Sequence, residues 1–551
     1  MTSVVTAGGI SVTIRGAVVE EGETVLDRLV SDGVPGSLAS RNSKLWGPDA
    51  APLAARSLGW LGLPETSRSL AARLAGPADE ARDAGLDRVV LAGAGGAALA
   101  AEAICRTAGV ELTVLDTTDP HEVSGVLATG LDRTLVVVAG ESLQAETLRR
   151  VFAGAFSDAG VTGDALARRF VVVADAGSPL ERAAREAGHP VVQSEPDVDG
   201  RFGALGAQAL VPAALAGVDL GGLLDEASGL AGALRQPYDN PALALGAALG
   251  SSVLAHRDKL IIADQGSGLA GFGGWAEQLV AGATGKQGKG MLPVVVEGVD
   301  SPGFELTGEV RRVILGRRPD EPGPGREAGL SVAGPLGAQF LLWEYATAVA
   351  ARVIGVDPFA EPDVGESAAA TAALLRSEEG AAPTVVRTPP ALVAGAVEVH
   401  APAELLRGAE NLTDALEVLL DAVPEHGYLA VLAYLDRTGE AGAADLRALL
   451  ATRGAKLRKR PAPVTFGWGP RHLHTTGQYH KGGPQNGAFL QITGAVTTDV
   501  PVPGRPYSLG ELQLAQAFGD LRVLRSLARP AVRLHLRDRG EGLAQLRDAL
   551  A

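Results

Sequence analysis

Two stretches of the chain gather residues that could do chemistry. In 467–494, GWGPRHLHTTGQYHKGGPQNGAFLQITG, three histidines (His472, His474, His480), three aromatic residues and Lys481 fall among glycines. Lys481 is one of only seven lysines beside 42 arginines. A compact, flexible ammonium differs from a guanidinium as an acid or as a phosphate partner, so a lysine kept at this place is a candidate functional cation, with a solvated loop lysine as the plainer alternative. In 93–100, GAGGAALA follows an apolar run and opens a helical pattern. That arrangement puts backbone N–H groups and a helix dipole where an anion could sit. A dinucleotide loop would want a third glycine, but the run gives Gly93, Gly95 and then Ala98. Asp116 ends the next apolar run, which keeps nucleotide binding as an alternative to a tight turn packed through small residues.

The elements that must position these groups are read from the pattern of short β-branched runs followed by helical stretches, the signature of βαβ units in a parallel sheet covered on both faces. The clearest runs are 87–93, 111–117, 134–140 and 170–176. A second set lies at 259–265, 291–298 and 311–316, after the Gly-rich stretch Gly217–Gly232 and the turn at Pro237, Asn240 and Pro241. RRPDEPGPGREAG (317–329) and RSEEGAAPTVVRTPP (376–390) read as surface loops. Between them, 335–355 is a long apolar helix closed by Gly355. Strands follow at 428–435, 488–494 and 531–538. The expected division is an N-terminal helical cap (1–80), two α/β sheet domains readable as distant copies of one plan (81–235 and 236–390), and a C-terminal α/β segment (391–551) carrying the histidine-rich motif.

A net charge of −15 argues against nucleic acid as a partner, and the basic cluster Lys456, Arg458, Lys459, Arg460 is too short to overturn that. The single cysteine, Cys105, leaves no disulfide framework and no multi-cysteine metal site, which fits a reducing compartment. No stretch reaches about 18 uninterrupted apolar residues, and the N-terminus lacks a charged segment followed by a long apolar one. A cytoplasmic protein with no membrane contact, no metal and no cofactor is the expectation.

The 467–494 stretch closely resembles the C-terminal signature of actinobacterial-type glucose-6-phosphate isomerases. The resemblance continues in one order through LAGAGGAALAAEA, VELTVLDTTDP, FVVVADAGSPLERAAREAG, DVDGRFGAL, WAEQLVAGATGKQGKGMLPVVVEG, GPLGAQFLLWEYATAVA and GYLAVLAYLDR. It implies an α/β fold of two flavodoxin-like sugar-isomerase domains, each a parallel sheet between helices, a sugar or sugar phosphate held between them, and a homodimer. It also implies proton transfer between C1 and C2 of an aldose or ketose phosphate through an enediol. Such chemistry needs an anion cradle, a carboxylate base and a cation facing the developing charge. By this resemblance Arg201 faces the enediolate oxygen, Lys481 contacts the ring oxygen in a cleft shared with Arg201, and Gln339 falls where many members have a histidine.

Other positions depart from the family pattern. The base of its Glu-Ser-Thr-Gly-Lys run aligns with Gly282 of Gly282-Ala283-Thr284-Gly285-Lys286. The first phosphate loop, ending Gly-Gly-Ser-Ser in the family, reads Gly95-Gly96-Ala97-Ala98, and the second becomes Ala139-Gly140-Glu141-Ser142-Leu143-Gln144. Gly95, Gly96, Ala97 and Ser142 are the remaining candidates for substrate contact. Hydrogen bonds to a charged group contribute about 1.5–3 kcal/mol each, so these losses weaken phosphate binding by several kcal/mol. Glu277 and Glu344 are the carboxylates weighed as replacement bases, against structural roles for both. The resulting expectation is a family scaffold with reduced or lost isomerase activity that binds a ligand or a protein partner; the alternative is an active glucose-6-phosphate isomerase with rearranged ligands.

Overall fold

The computed structural model describes residues 1–304, 310–317, 329–376, 388–458 and 461–551. Nearly all of the two expected loops at 317–329 and 376–390, with Lys459 and Arg460, lies outside the described residues.

Two hairpin strands open the chain, β1 (Thr2–Ala7) and β2 (Ile10–Arg15). Apolar runs, buried on both faces in the central strands, then give β3 (Arg88–Gly93), β4 (Thr113–Leu115), β5 (Thr134–Ala139), β6 (Phe170–Ala174) and the part-exposed edge strand β7 (Val191–Gln193), an all-parallel sheet in the order β4-β3-β5-β6-β7. A second sheet holds β8 (Lys259–Gln265), β9 (Leu292–Val296), β10 (Val310–Gly316) and β11 (Gly329–Ala333) in the order β1-β2-β11-β10-β8-β9. The third contains β12 (Leu392–Ala394), β13 (Val397–His400), β14 (Tyr428–Tyr434), β15 (Val464–Trp468), β16 (Gly487–Gly494) and β17 (Ala531–Leu536), ordered β12-β13-β17-β16-β14-β15.

Counted within its own unit, the parallel core runs 2-1-3-4-5 in the first sheet and 2-1-3-4 in the other two, the flavodoxin-like order. The third unit repeats the second down to an antiparallel hairpin outside its fourth strand. The plan expected twice is therefore present three times.

One expectation needs correction. The first 80 residues are not purely a helical cap, because residues 2–15 form a hairpin that extends the second sheet. Its cause is legible: Ile10, Val12 and Ile14 are buried at period two, and Gly8-Gly9, both at positive φ, supply a two-residue turn. The Gly-rich 217–232 stretch is largely a helix, Leu220–Ala231, capped by Asp219, because Leu220, Leu223, Leu224, Ala227 and Leu230 recur at helical spacing and are buried. Among the described residues no helix is long and apolar enough to cross a membrane.

The largest apolar core joins the first two units, with the Leu336–Ile354 helix at its centre and Gly355 ending that helix in the left-handed conformation. At its rim Phe202 packs 5.2 Å from Trp60 and 5.3 Å from Phe359. This stack pins the backbone on either side of Arg201.

Candidate active site

In a doubly wound sheet ligands sit outside the carboxyl ends of the strands where the strand order reverses. In the first unit that point lies between β3 and β5. After β3 the chain turns at Gly95 (φ +86) into the Gly96–Ala108 helix; after β5 it turns at Gly140 (φ +83) into the Leu143–Asp158 helix. Two helix N-termini thus flank one spot. Ser142 caps the second, its Oγ accepting from Ala145 N at 3.0 Å. Ala97 and Ala98 are buried. Glu141 is exposed and reaches sideways, Oε2 accepting from Leu180 N at 3.4 Å. Gly96 is forced by close approach: a Cβ there would stand 2.7 Å from Gly200 O and 2.8 Å from both Gln278 amide atoms.

The third unit supplies the opposite wall. His474 reaches solvent yet is ringed by protein, and its Nε2 pairs with Gln144 Oε1 at 2.8 Å, while Gln144 Nε2 donates to Asp116 O. A Cβ on Gly95 would lie 3.9 Å from His474 Cβ. Burial lowers the His474 pKa, with Glu361 and Asp116 pulling the other way. With Gln144 Oε1 as the acceptor, His474 Nε2 is the donor of this hydrogen bond.

Arg201 is buried between the units, and four of its five N–H donors are hydrogen-bonded: Nε and one Nη2 donor to Asp199 at 3.1 Å each, the other Nη2 donor to Phe359 O at 2.6 Å, and one Nη1 donor to Gly282 O at 3.0 Å; Nη1 also stands in an ion pair with Glu361 at 3.2 Å. A Cβ on Gly282 would stand 2.8 Å from Arg201 Cδ, so the arginine lies across the base position. Lys286, four residues on, donates to Asp357 O (2.7 Å) and Ala360 O (2.5 Å). Burial first, then Arg201, pushes its pKa down to about 7. Together Arg201 and Lys286 clamp the 357–361 turn.

Glu361, at the end of that turn, was not a candidate from sequence. Its side chain is 47% exposed and touches Arg201, so it is an accessible carboxylate beside that guanidinium. Nothing in local pattern marks it, because a carboxylate in a Pro-flanked turn shows no tie to residue 201.

Other candidates lie apart. The Lys481 side chain is 2% exposed, with Nζ 2.8 Å from Asp520, which also meets His472 Nε2 at 3.1 Å. Burial pushes the Asp520 carboxyl up, but Lys481 and His472 outweigh it and hold the carboxyl well below the usual range. The ionic partner of Lys481 is thus Asp520. Gln339 is fully buried in the core; its Oε1 accepts from Trp343 Nε1 at 3.2 Å and its amide nitrogen has no partner. Glu344 is also fully buried, accepting from Ala204 N at 3.3 Å, and burial raises its pKa strongly. Glu277 accepts from Thr465 Oγ1 at 3.3 Å, and burial pushes its pKa up to about 8. Close approaches thus link Gly95 to His474, Gly96 to Gly200 and Gln278, and Gly282 to Arg201, with Ser142 capping the helix after β5, whereas Gln339 lies in the apolar core and the Lys481 ammonium is paired with Asp520.

Comparison with known proteins follows the same lines. The chain is 33% identical over 282 residues to the "Probable glucose-6-phosphate isomerase" of Haloarcula marismortui, covering 46% of this chain and 63% of that protein. It is 30% identical over 257 residues to the glucose-6-phosphate isomerase of Rubrobacter xylanophilus, covering 43% and 58%. The matches thus span less than two-thirds of these relatives' own length. No protein-family model matches. Among solved structures, a hypothetical protein of Thermus thermophilus superposes with a TM-score of 0.56 at 19% identity, covering 68% of this chain and 100% of that one. A Chlamydia trachomatis glucose-6-phosphate isomerase gives 0.52 at 17%, covering 70% and 92%.

Proposed function

We propose that this chain, a relative of the glucose-6-phosphate isomerases in sequence and fold, has reduced or lost that isomerase activity and acts as a ligand-binding or partner-binding protein. The observation that carries this reading is the state of Arg201. Stabilising an enediolate needs a preorganised donor aimed at the developing charge, and four of the five donors of this guanidinium are hydrogen-bonded within the protein, with Glu361 paired to its charge. The aligned base position, Gly282, has no carboxylate, and the space above it is occupied by the arginine itself. A base contributes roughly 10²–10⁴-fold and donors of this kind several kcal/mol more, so both large terms are missing at once.

What remains favours a small anionic or polyhydroxyl ligand at the β3–β5 ends. The two helix N-termini, the Gln144–His474 pair and the sideways turn of Glu141 support a sugar or sugar phosphate as that ligand. Thermal shift tests this reading, since a ligand that binds only the folded state raises its melting temperature. Fructose 6-phosphate, free fructose and inorganic phosphate are the three probes. A rise with fructose 6-phosphate, with no turnover of it, is expected; no rise with any probe would leave only the partner-protein form of the reading.

One observation favours a second reading, an active isomerase. If an incoming substrate displaced Glu361 from Arg201, a single movement would free a guanidinium donor and a carboxylate now 3.2 Å apart. Glu361 would then be the base. In that case Glu361→Gln lowers turnover by about 10²–10⁴-fold and leaves substrate binding in place.

A further inference from the structure

We infer that Asp116 fixes the tautomer of His474 through Gln144, leaving Nδ1 of that ring as a bare acceptor that takes a ligand hydroxyl and turns away the oxygens of a phosphate ester. The inference rests on the small-ligand reading of the β3–β5 ends and names the chemical group that is read there.

The relay begins at a backbone carbonyl, which can only accept. Asp116 O takes a hydrogen from Gln144 Nε2 at 3.1 Å, so the amide oxygen of Gln144 must point the other way. That oxygen lies 2.8 Å from His474 Nε2 and has no hydrogen to give. His474 Nε2 is therefore the donor, and in a neutral imidazole the second nitrogen is then an acceptor. Burial lowers the pKa of this ring, which favours the neutral form. Among the described residues Nδ1 has no hydrogen-bond partner, and His474 is exposed to solvent beside the Gly95 turn.

Both ends of the relay are held by one segment. The Asp116 carboxylate pairs with Arg471, the first residue of the Arg471–His474 turn that carries the imidazole. Arg471 also donates to Glu102 Oε2 at 2.9 Å. Asp116 thus holds Gln144 by its carbonyl and the His474 turn by its side chain. The next residues are anchored in the third unit as well. Thr118 Oγ1 donates to Gln516 at 2.7 Å, and the fully buried Asp119 accepts from Gln513 at 2.9 Å and pairs with Arg539 at 3.0 Å. An amide flip of Gln144 would set its oxygen against the Asp116 carbonyl and leave that buried carbonyl without a donor, so the relay keeps one direction.

A sugar hydroxyl can donate to Nδ1. The dianion of a phosphate ester carries acceptors alone, and its oxygens would meet the nitrogen lone pair. Asp116 and Gln144 are positioning residues in this scheme, and His474 is the residue that touches the ligand.

The test is NMR of the full chain labelled at the histidine ring nitrogens, at about pH 8, above the ordinary imidazole pKa of about 6.5. His474 is assigned by the signal lost in His474→Asn. The free parent is expected to show the Nε2–H tautomer alone. Free fructose at saturation should move the Nδ1 resonance, and sulfate, an acceptor-only dianion, should not. Gln144→Glu keeps the shape but adds a charge beside Nε2, and is expected to raise the His474 pKa by about one unit or more. Below that pKa both ring nitrogens carry protons, and sulfate should then move Nδ1. A mixture of tautomers or a protonated Nδ1 in the free parent, a response of its Nδ1 to sulfate, or an unchanged pKa in Gln144→Glu would overturn the inference. So would fructose or fructose 6-phosphate that raises the melting temperature yet leaves the ring unmoved, a result that spares the small-ligand reading. No melting shift with either sugar would instead remove that reading, and the hydroxyl contact with it.

Discussion

Arg201 lies across Gly282: its Nη1 donates to the Gly282 carbonyl at 3.0 Å, and a side chain starting at residue 282 would meet Arg201 Cδ at 2.8 Å. The residue that should stabilise the enediolate thus occupies the space of the base it should serve. Gly282→Glu alone is therefore expected to give no detectable isomerisation of fructose 6-phosphate. Overpacking against Arg201 should instead cost about 1–3 kcal/mol, read as a lower midpoint in urea. Activity appearing in this single variant would mean that Arg201 swings away freely.

Arg201 should act first as a structural clamp. Arg201→Met leaves Asp199 short of its partner and the Phe359 carbonyl without its donor beside a buried site, and removing one member of such a set typically costs about 3–5 kcal/mol. Urea unfolding of the variant measures this directly. A loss under about 1 kcal/mol, the range of exposed pairs, would show that the guanidinium is held loosely enough to serve a ligand.

Lys481 makes the same point at a second site. Lys481→Met strands Asp520 in the core with His472, so stability falls, whereas Lys481→Met combined with Asp520→Leu should recover much of the loss. If the double variant is as unstable as the single one, Lys481 owes its place to something other than Asp520.

Two buried groups give the fold opposite pH dependences. Glu277 keeps its proton up to about 8 when folded, against 4.5 for the free side chain. The folded chain therefore binds more protons across that window, and this contribution to stability falls as pH rises through it. Lys286 loses its proton near 7 when folded, against 10.5 ordinarily, so its contribution rises with pH between about 7 and 10.5. Glu277→Gln should gain stability relative to the parent as pH goes from 5 to 8, measured by melting temperature. Parallel curves for the two proteins would contradict the buried-carboxyl account.

Most of the fold was legible in the sequence because a strand such as LVVVA at 135–139 or the apolar 336–354 helix carries its own local cause. The hairpin at 2–15 was equally local, with alternating Ile10, Val12 and Ile14 and a Gly-Gly turn, but it was obscured by the helical stretches that follow. The third sheet was harder, since β15 and β16 flank the motif whose chemistry drew attention instead. At the site, Gly95, Gly96 and Ser142 were readable as turn and cap chemistry. Glu361, His474 and Gln144 were not, because they meet Arg201 or one another only through packing between elements more than 150 residues apart in sequence. The engagement of Arg201 is likewise a property of three dimensions: its acceptors come from residues 199, 282 and 359, and its ion-pair partner is Glu361.

The central claim is that the engaged arginine and empty base position leave no working isomerase. It is tested most directly by following conversion of fructose 6-phosphate to glucose 6-phosphate in a coupled assay, with the parent chain and Glu361→Gln both purified from a host lacking its own isomerase. The account predicts no turnover above the enzyme-free rate for either protein. Saturable turnover by the parent that Glu361→Gln reduces about a hundredfold or more would contradict it, and would make Glu361 the base.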